Sequence, residues 1–230
     1  MIKTVFLDLD DTILDFGLAE HKAIRAALRE IGLEPTDEVV GRYIEINRAC
    51  WSALERGELE RDEVLTRRFE LLFSELGFEA SPTETQQIYA TRLGSFHDFL
   101  RGGKELLDEL SASGKYDLYI ASNGIYRVQA PRIEASGIAH YFKDIFISEK
   151  LGYNKPSREF FERCADRIEG YNPREAIIVG DSLSSDIQGG KNAGILTCHF
   201  NPKNTPYDKI IPDYKINNLS ELAKLLESIE

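Results

Sequence analysis

Apolar positions follow two rhythms along this chain. Residues 2–9 form an almost unbroken apolar run that stops at Asp8-Leu9-Asp10-Asp11-Thr12. A continuous run of that length predicts a buried strand. From there to about residue 95 every stripe is helical. Ile24, Ala27, Leu28 and Ile31 share one face, and Gly32 stands where a C-cap glycine belongs. Val40, Tyr43, Ile44, Asn47, Trp51 and Leu54 share a second, within a helix expected over 37–56. Leu65, Phe69, Leu72, Phe73 and Leu76 make a third that ends at Gly77, and Pro82 opens a fourth reaching about Leu93. Residues 16–95 contain no strand candidate.

Beyond residue 99 short apolar runs alternate with helical stripes. Strands are predicted over 117–122, 144–148, 176–180 and 196–200. Helices are predicted over 103–113, 128–136, from Ser157 through Ile168, near 186–193 and at 219–229, with loop over 201–213. This order implies an α/β fold, a Rossmann-like parallel sheet with helices on both faces. About a hundred residues separate the first strand from the second, whereas a crossover needs only a dozen or so plus its helix. Residues 1–15 and 96–230 are therefore expected to form the core, and 16–95 an inserted helical subdomain. An insertion rooted near Asp15 and just before residue 99 stands over the carboxyl ends of the strands, where open α/β sheets bind ligands.

Composition narrows the partners. The 230 residues carry a formal net charge of −11, with 42% apolar and 29% charged residues. Without a Lys/Arg block, that excess argues against polymeric nucleic acid and against an anionic membrane. No stretch approaches a membrane span, and no leader pattern opens the chain. Cys50, Cys164 and Cys198 are far apart and form no C-x-x-C pair. Reduced, buried thiols in a cytoplasmic protein are the expectation.

The first strand end carries the candidate chemistry. Asp8 and Asp10 point the same way if the strand persists that far. Two carboxylates about 4 Å apart at an effective dielectric near 20 repel by roughly 4 kcal/mol. A proton, a cation or a lysine must offset that. Taken alone, the stretch reads either as a solvated turn of aspartates or as a metal site. The other strand ends bring Ser122 and Asn123, then Lys155, then Asp181 with Asp186 five residues on. Each has an ordinary reading: Ser122 as a helix cap, Lys155 as a solvated loop lysine, Asp181 as a turn residue, Asp186 as a charge at a helix start. A parallel sheet gathers all of them on one edge, and that joint placement points to a site.

These residues resemble the motifs of the haloacid dehalogenase-like (HAD) hydrolases. Asp8-Leu9-Asp10-Asp11-Thr12 is similar to the family's D-x-D-x-T. Ser122, Lys155 and Gly180-Asp181-Ser182-Leu183-Ser184-Ser185-Asp186 match its other three motifs in order. The resemblance spans residues 1–200. It implies a Rossmann-like core with an α-helical cap, and a Mg²⁺-dependent phosphohydrolase working through an aspartyl-phosphate. It assigns Asp8 as nucleophile and Asp10 as acid and base. Asp8, the Asp10 carbonyl and Asp181 would hold the metal. Asp186 would orient a metal-bound water or Lys155. Ser122, Lys155 and backbone N–H groups near Asn123 and Gly124 would bind the phosphoryl oxygens. The family's dehalogenases lack the second aspartate of the first motif, so Asp10 favours phosphoryl chemistry.

Asn47, Trp51 and Glu55-x-Gly57-Glu58 resemble the pyrimidine 5′-nucleotidase branch, implying a nucleoside monophosphate as the small phosphorylated partner. Asn47 and Trp51 lie on one helical face, which suits either core packing or a surface over a nucleobase. A sugar-phosphate phosphatase or a phosphomutase is the alternative. A receiver domain would be shorter and has no place for the insertion. A phosphonatase needs a cap lysine, and only Lys22 falls within 16–95. Gly102-Gly103-Lys104 lacks the spacing of a phosphate-binding P-loop.

Overall fold

The computed structural model describes residues 1–229. Six strands, β1 (Thr4–Leu7), β2 (Asp117–Ser122), β3 (Asp144–Ile147), β4 (Ala176–Gly180), β5 (Leu196–Phe200) and β6 (Tyr214–Ile216), form one sheet. Their order is β3-β2-β1-β4-β5-β6 and every pairing is parallel. β1 lies inside the sheet, with Leu7 level with Ile120 on one side and Val179 on the other. The strand is shorter than its apolar run, although the Asp8 N–H still donates to the Val179 carbonyl at 2.9 Å. There the chain turns: Asp11 takes a left-handed φ of 56°, a conformation aspartate tolerates better than most side chains. Its N–H returns to the Leu14 carbonyl at 2.8 Å.

Successive residues of β1 serve opposite faces, as strand geometry requires. Val5 and Leu7 pack with Ile120, Val179 and the helices α5 (Gly103–Ser113) and α10 (Leu222–Ser228). Phe6 packs with Tyr119, Phe146, Phe160 and Phe161 on the other face, beside α8 (Arg158–Ala165).

Helices α1 (Phe16–Glu30), α2 (Asp37–Glu55), α3 (Arg61–Leu76) and α4 (Pro82–Gly94) surround a separate apolar cluster that includes Ile24, Leu28, Tyr43, Phe69 and Tyr89. Local signals set their ends. Asp15 accepts from Leu18 N at 2.8 Å, so α1 starts at Phe16. Thr36 and Ser81 cap α2 and α4 in the same way, and Gly77 closes α3 at a φ of 60°. The two chain crossings into this helical unit run side by side. Asp15 N donates to the Asp98 carbonyl at 2.9 Å, and Leu100 N to Ile13 at 3.0 Å. Residue 103 must be glycine here, because a Cβ would sit 2.6 Å from the Ile13 carbonyl oxygen.

The remaining helices are α6 (Tyr126–Ser136), the short α7 (Ser148–Leu151) and α9 (Gln188–Ala193). Further details differ from the sequence expectation. β6 and α7 are additional, each too short to show a period. Residues Leu183–Ile187 form a π turn, so α9 begins at Gln188 instead of Asp186. A short 3-10 turn over Leu219–Glu221 precedes α10.

Candidate active site

The carboxyl ends of β1, β2 and β4 meet on one edge, beside the loop that carries Lys155. Lys155, fully buried, donates from Nζ to Asp8 Oδ1 at 2.8 Å and to Asp186 Oδ1 at 2.6 Å. It also donates to the Ala121 carbonyl. Burial alone would push this ammonium down, but the Asp186 and Asp8 charges outweigh it and hold Lys155 above its ordinary value. Asn123 fixes the lysine's backbone from both directions: Nδ2 donates to the Lys155 carbonyl and Oδ1 accepts from Lys155 N, each at 2.8 Å. Asp186 folds back across Gly180 and accepts from Ser182 N at 3.1 Å. A Cβ on Gly180 would stand 2.1 Å from Asp186 Oδ2.

Negative charge is in excess. Carboxylate oxygens of Asp8, Asp181 and Asp186 lie within 4.8 Å of one another, with one lysine among them. Burial pushes Asp8 up to about 7, and the Asp186 and Asp10 charges add to this against the pull of Lys155. Asp181 is raised well above the carboxylate range by burial, then by Asp8 and Asp186. Three crowded oxygen donors with that imbalance fit a hard cation such as Mg²⁺, which prefers carboxylate and carbonyl oxygens. Asp186 accepts from Lys155 at 2.6 Å and from Ser182 N at 3.1 Å. Asp8 accepts from Lys155 at 2.8 Å and, at a longer 3.3 Å, from Thr12 Oγ1. An ion would therefore compete least at Asp181 and at the second Asp8 oxygen.

Ser122 Oγ accepts from Gly124 N at 3.1 Å and from Gln129 Nε2 at 2.9 Å. Asp10 lies on the same cavity as Asp8. Its Oδ2 accepts from Gln129 Nε2 at 2.6 Å and its Oδ1 from Arg132 Nη1.

A family model described as haloacid dehalogenase-like hydrolase matches residues 2–194. The chain belongs to the haloacid dehalogenase-like hydrolases. Relatives of this hydrolase span essentially its whole length. It is 39% identical to the HAD-hydrolase YfnB of Bacillus subtilis, covering 97% of this chain and 95% of that one. The crystal structure of YfnB bound to magnesium, described as revealing interdomain movement, superposes with a TM-score of 0.93 over 99% of both chains. The pyrimidine 5′-nucleotidase PynA of Streptococcus pneumoniae is 36% identical over 98% of this chain and 95% of that one. A glyceraldehyde 3-phosphate phosphatase of Methanopyrus kandleri is 28% identical over 100% and 99%.

Above the carboxylates the hydrolase has a cavity of about 200 Å³ that reaches under α1–α4. Trp51 lines it, half-buried, with Phe16, Leu65, Tyr89, Ile125 and Val128. Asn47 does not. Its amide is consumed inside the helical unit, where Nδ2 donates to Glu20 Oε1 at 2.5 Å and Oδ1 accepts from Arg68 Nη1 at 2.6 Å. Arg68 also donates to Gln86 Oε1 at 2.6 Å, and both of these residues reach the cavity wall. Burial pushes Glu20 up to about 7 despite the Asn47 hydrogen bond and the Arg68 charge.

Glu55, part of the cap pattern in the sequence, lines the cavity from α2 and accepts from Ser184 Oγ at 2.7 Å. Other residues near the site were not marked by the sequence motifs. Arg61 donates to Ser148 Oγ at 2.6 Å and to Asn154. Gln129 and Arg132 are buried on α6. Polar residues at the inward positions of an otherwise apolar helix face are the signal that could have exposed these last two. Lys22 pairs with Asp98 at 2.7 Å, beside the chain crossings. No described helix is long and apolar enough to cross a membrane.

Proposed function

We propose that this hydrolase is a phosphatase that cleaves phosphomonoesters through an aspartyl-phosphate on Asp8, and that its substrate is a nucleoside 5′-monophosphate. The observation that carries the reading is the placement of Asp8. It is a buried carboxylate held by Lys155 at 2.8 Å, at the mouth of a cavity whose far wall is aromatic and apolar.

An Asp8 oxygen attacks phosphorus, and the bond to the ester oxygen breaks. Asp10 gives its proton to the departing oxygen, then takes one from the water that attacks the phosphoenzyme. Orthophosphate leaves and Asp8 is restored. Ser122 and Lys155 hold the phosphoryl oxygens, and main-chain N–H groups near Gly124 add to them. Asp8, the Asp10 carbonyl and Asp181 would hold a Mg²⁺ ion, which when bound supplies positive charge beside the phosphoryl oxygens. Asp186, hydrogen-bonded to Lys155, keeps that lysine aimed.

Residues 16–95 act as the cap. The core residues address only the phosphate, so Trp51 with its aromatic neighbours selects the leaving group. The relative named pyrimidine 5′-nucleotidase supports a nucleotide. The one named glyceraldehyde 3-phosphate phosphatase marks the sugar-phosphate alternative.

Phosphate release should be screened across nucleoside monophosphates and sugar phosphates with Mg²⁺, for wild type and Asp8→Asn. The variant should lose essentially all turnover while staying folded. Activity within tenfold of wild type would exclude Asp8 as the nucleophile. Turnover of sugar phosphates alone would keep the phosphatase and discard the nucleotidase.

A further inference from the structure

We propose that Arg132 is a positioning residue for Asp10, tying the aim of that carboxylate to both chain crossings that carry residues 16–95. The inference rests on the reading of Asp10 as acid and base. Arg132 is fully buried, and a permanently charged guanidinium taken out of water needs a strong compensating partner. Asp10 is that partner: it accepts from Nη1. The same Nη1 donates to Gln129 Oε1 at 2.8 Å, and Gln129 Nε2 donates to the other Asp10 oxygen at 2.6 Å. Both carboxylate oxygens are thus gripped from α6. Gly124 makes room for the grip, because a Cβ there would stand 2.4 Å from Gln129 Nε2.

The other side of the guanidinium faces the crossings. Nε donates to the Phe96 carbonyl at 2.9 Å, just after α4 ends. The Phe16 ring, at the first position of α1, lies 5.9 Å from the guanidinium carbon. One side chain therefore bonds the acid/base residue and the way out of the helical unit, and lies over the ring at the way in. Movement of either crossing changes the seat of Arg132, and Asp10 moves with it.

Two size-matched esters separate positioning from general support. p-Nitrophenolate leaves as a stable anion and needs no proton. Benzyl alcohol leaves only if its oxygen is protonated as the P–O bond breaks. In the presence of Mg²⁺, Arg132→Gln should keep the p-nitrophenolate burst within about threefold of wild type. Phosphoenzyme formation from benzyl phosphate should fall about a hundredfold or more, the scale of a misplaced general acid. Arg132→Lys should recover part of that loss, and carries the same comparison if Arg132→Gln does not fold. Equal loss on both esters, or an unchanged rate with benzyl phosphate, would overturn the proposal. A wild type that forms no phosphoenzyme from either ester would instead overturn the Asp8 mechanism.

Discussion

The ammonium of Lys155 meets the carboxylate of Asp8 at 2.8 Å across 147 residues of sequence, with almost no water around the pair. Removing the cation leaves Asp8 and Asp186 facing each other without compensation. Breaking a buried ion pair from one side costs about 3–5 kcal/mol. Lys155→Met should therefore lower the melting temperature strongly and abolish phosphate release, and Mg²⁺ should restore stability better than activity. A variant as stable as wild type without metal would show that the pair contributes no net stabilisation.

Acid pH should stabilise the metal-free protein. Asp8 and Glu20 are both pushed up to about 7 in the folded state, from an unfolded value near 4. Each binds its proton more tightly folded than unfolded. The stabilisation from protonation is full below about pH 4 and is lost as pH rises through about 7, on the order of 3–4 kcal/mol for each group. Mg²⁺ should remove the part due to Asp8, and Glu20→Gln the part due to Glu20. Denaturant titrations at about pH 5 and pH 7.5, with chelator and with Mg²⁺, measure this; chelated stability that is flat or rises with pH contradicts the assignment.

Asn47 and Trp51 share a helix but should behave differently. Trp51→Ala removes a cavity wall. Stacking is worth about 1–3 kcal/mol, so kcat/KM on a nucleotide should fall roughly tenfold to a hundredfold while p-nitrophenyl phosphate is spared. Asn47→Ala strands the buried Glu20 and Arg68 and should cost about 1–3 kcal/mol of stability, with similar effects on both esters. The reverse pattern would make Asn47 the selective residue.

Polar contacts tie the helical unit to the segments that follow β3 and β4: Glu55 to Ser184 at 2.7 Å, and Arg61 to Ser148 at 2.6 Å and to Asn154. The double variant Glu55→Gln/Arg61→Ala should open the molecule and enlarge its radius of gyration in solution scattering, while leaving secondary structure intact. An unchanged radius would mean that the crossings and the packing of α4 on α6 set the arrangement.

Much of this was legible in the sequence because the motif residues sit at strand ends, where an apolar run stops abruptly at polar or charged residues. β1, β2 and β4 have that form, and so Asp8, Ser122 and Asp181 stood out. Lys155 was visible only by its order along the chain. β6 was not visible, since Tyr214-Lys215-Ile216 is too short for a period and relies on pairing with β5. The buried network of Glu20, Asn47, Arg68 and Gln86 was hidden for another reason. It joins four helices, and no single helix carries the pattern. Arg132 and Gln129 were hidden because their partners, Asp10 and Phe96, lie at least 36 residues away in sequence.

During synthesis, β1 leaves the ribosome first and waits longest for its neighbours. Thr4 pairs with Asp117 on one side and with Ala176 on the other. Helices α1–α4 draw most of their apolar cluster from one another, and domains fold as their residues emerge. A nascent chain of about 150 residues already holds the whole helical unit, yet has neither β4 nor Lys155. Asp8 and Asp10 then stand as an acidic hook behind an apolar strand whose β4 edge is still unpaired. Recovery of phosphatase activity during refolding should therefore report closure of the sheet, long after helix signal has returned.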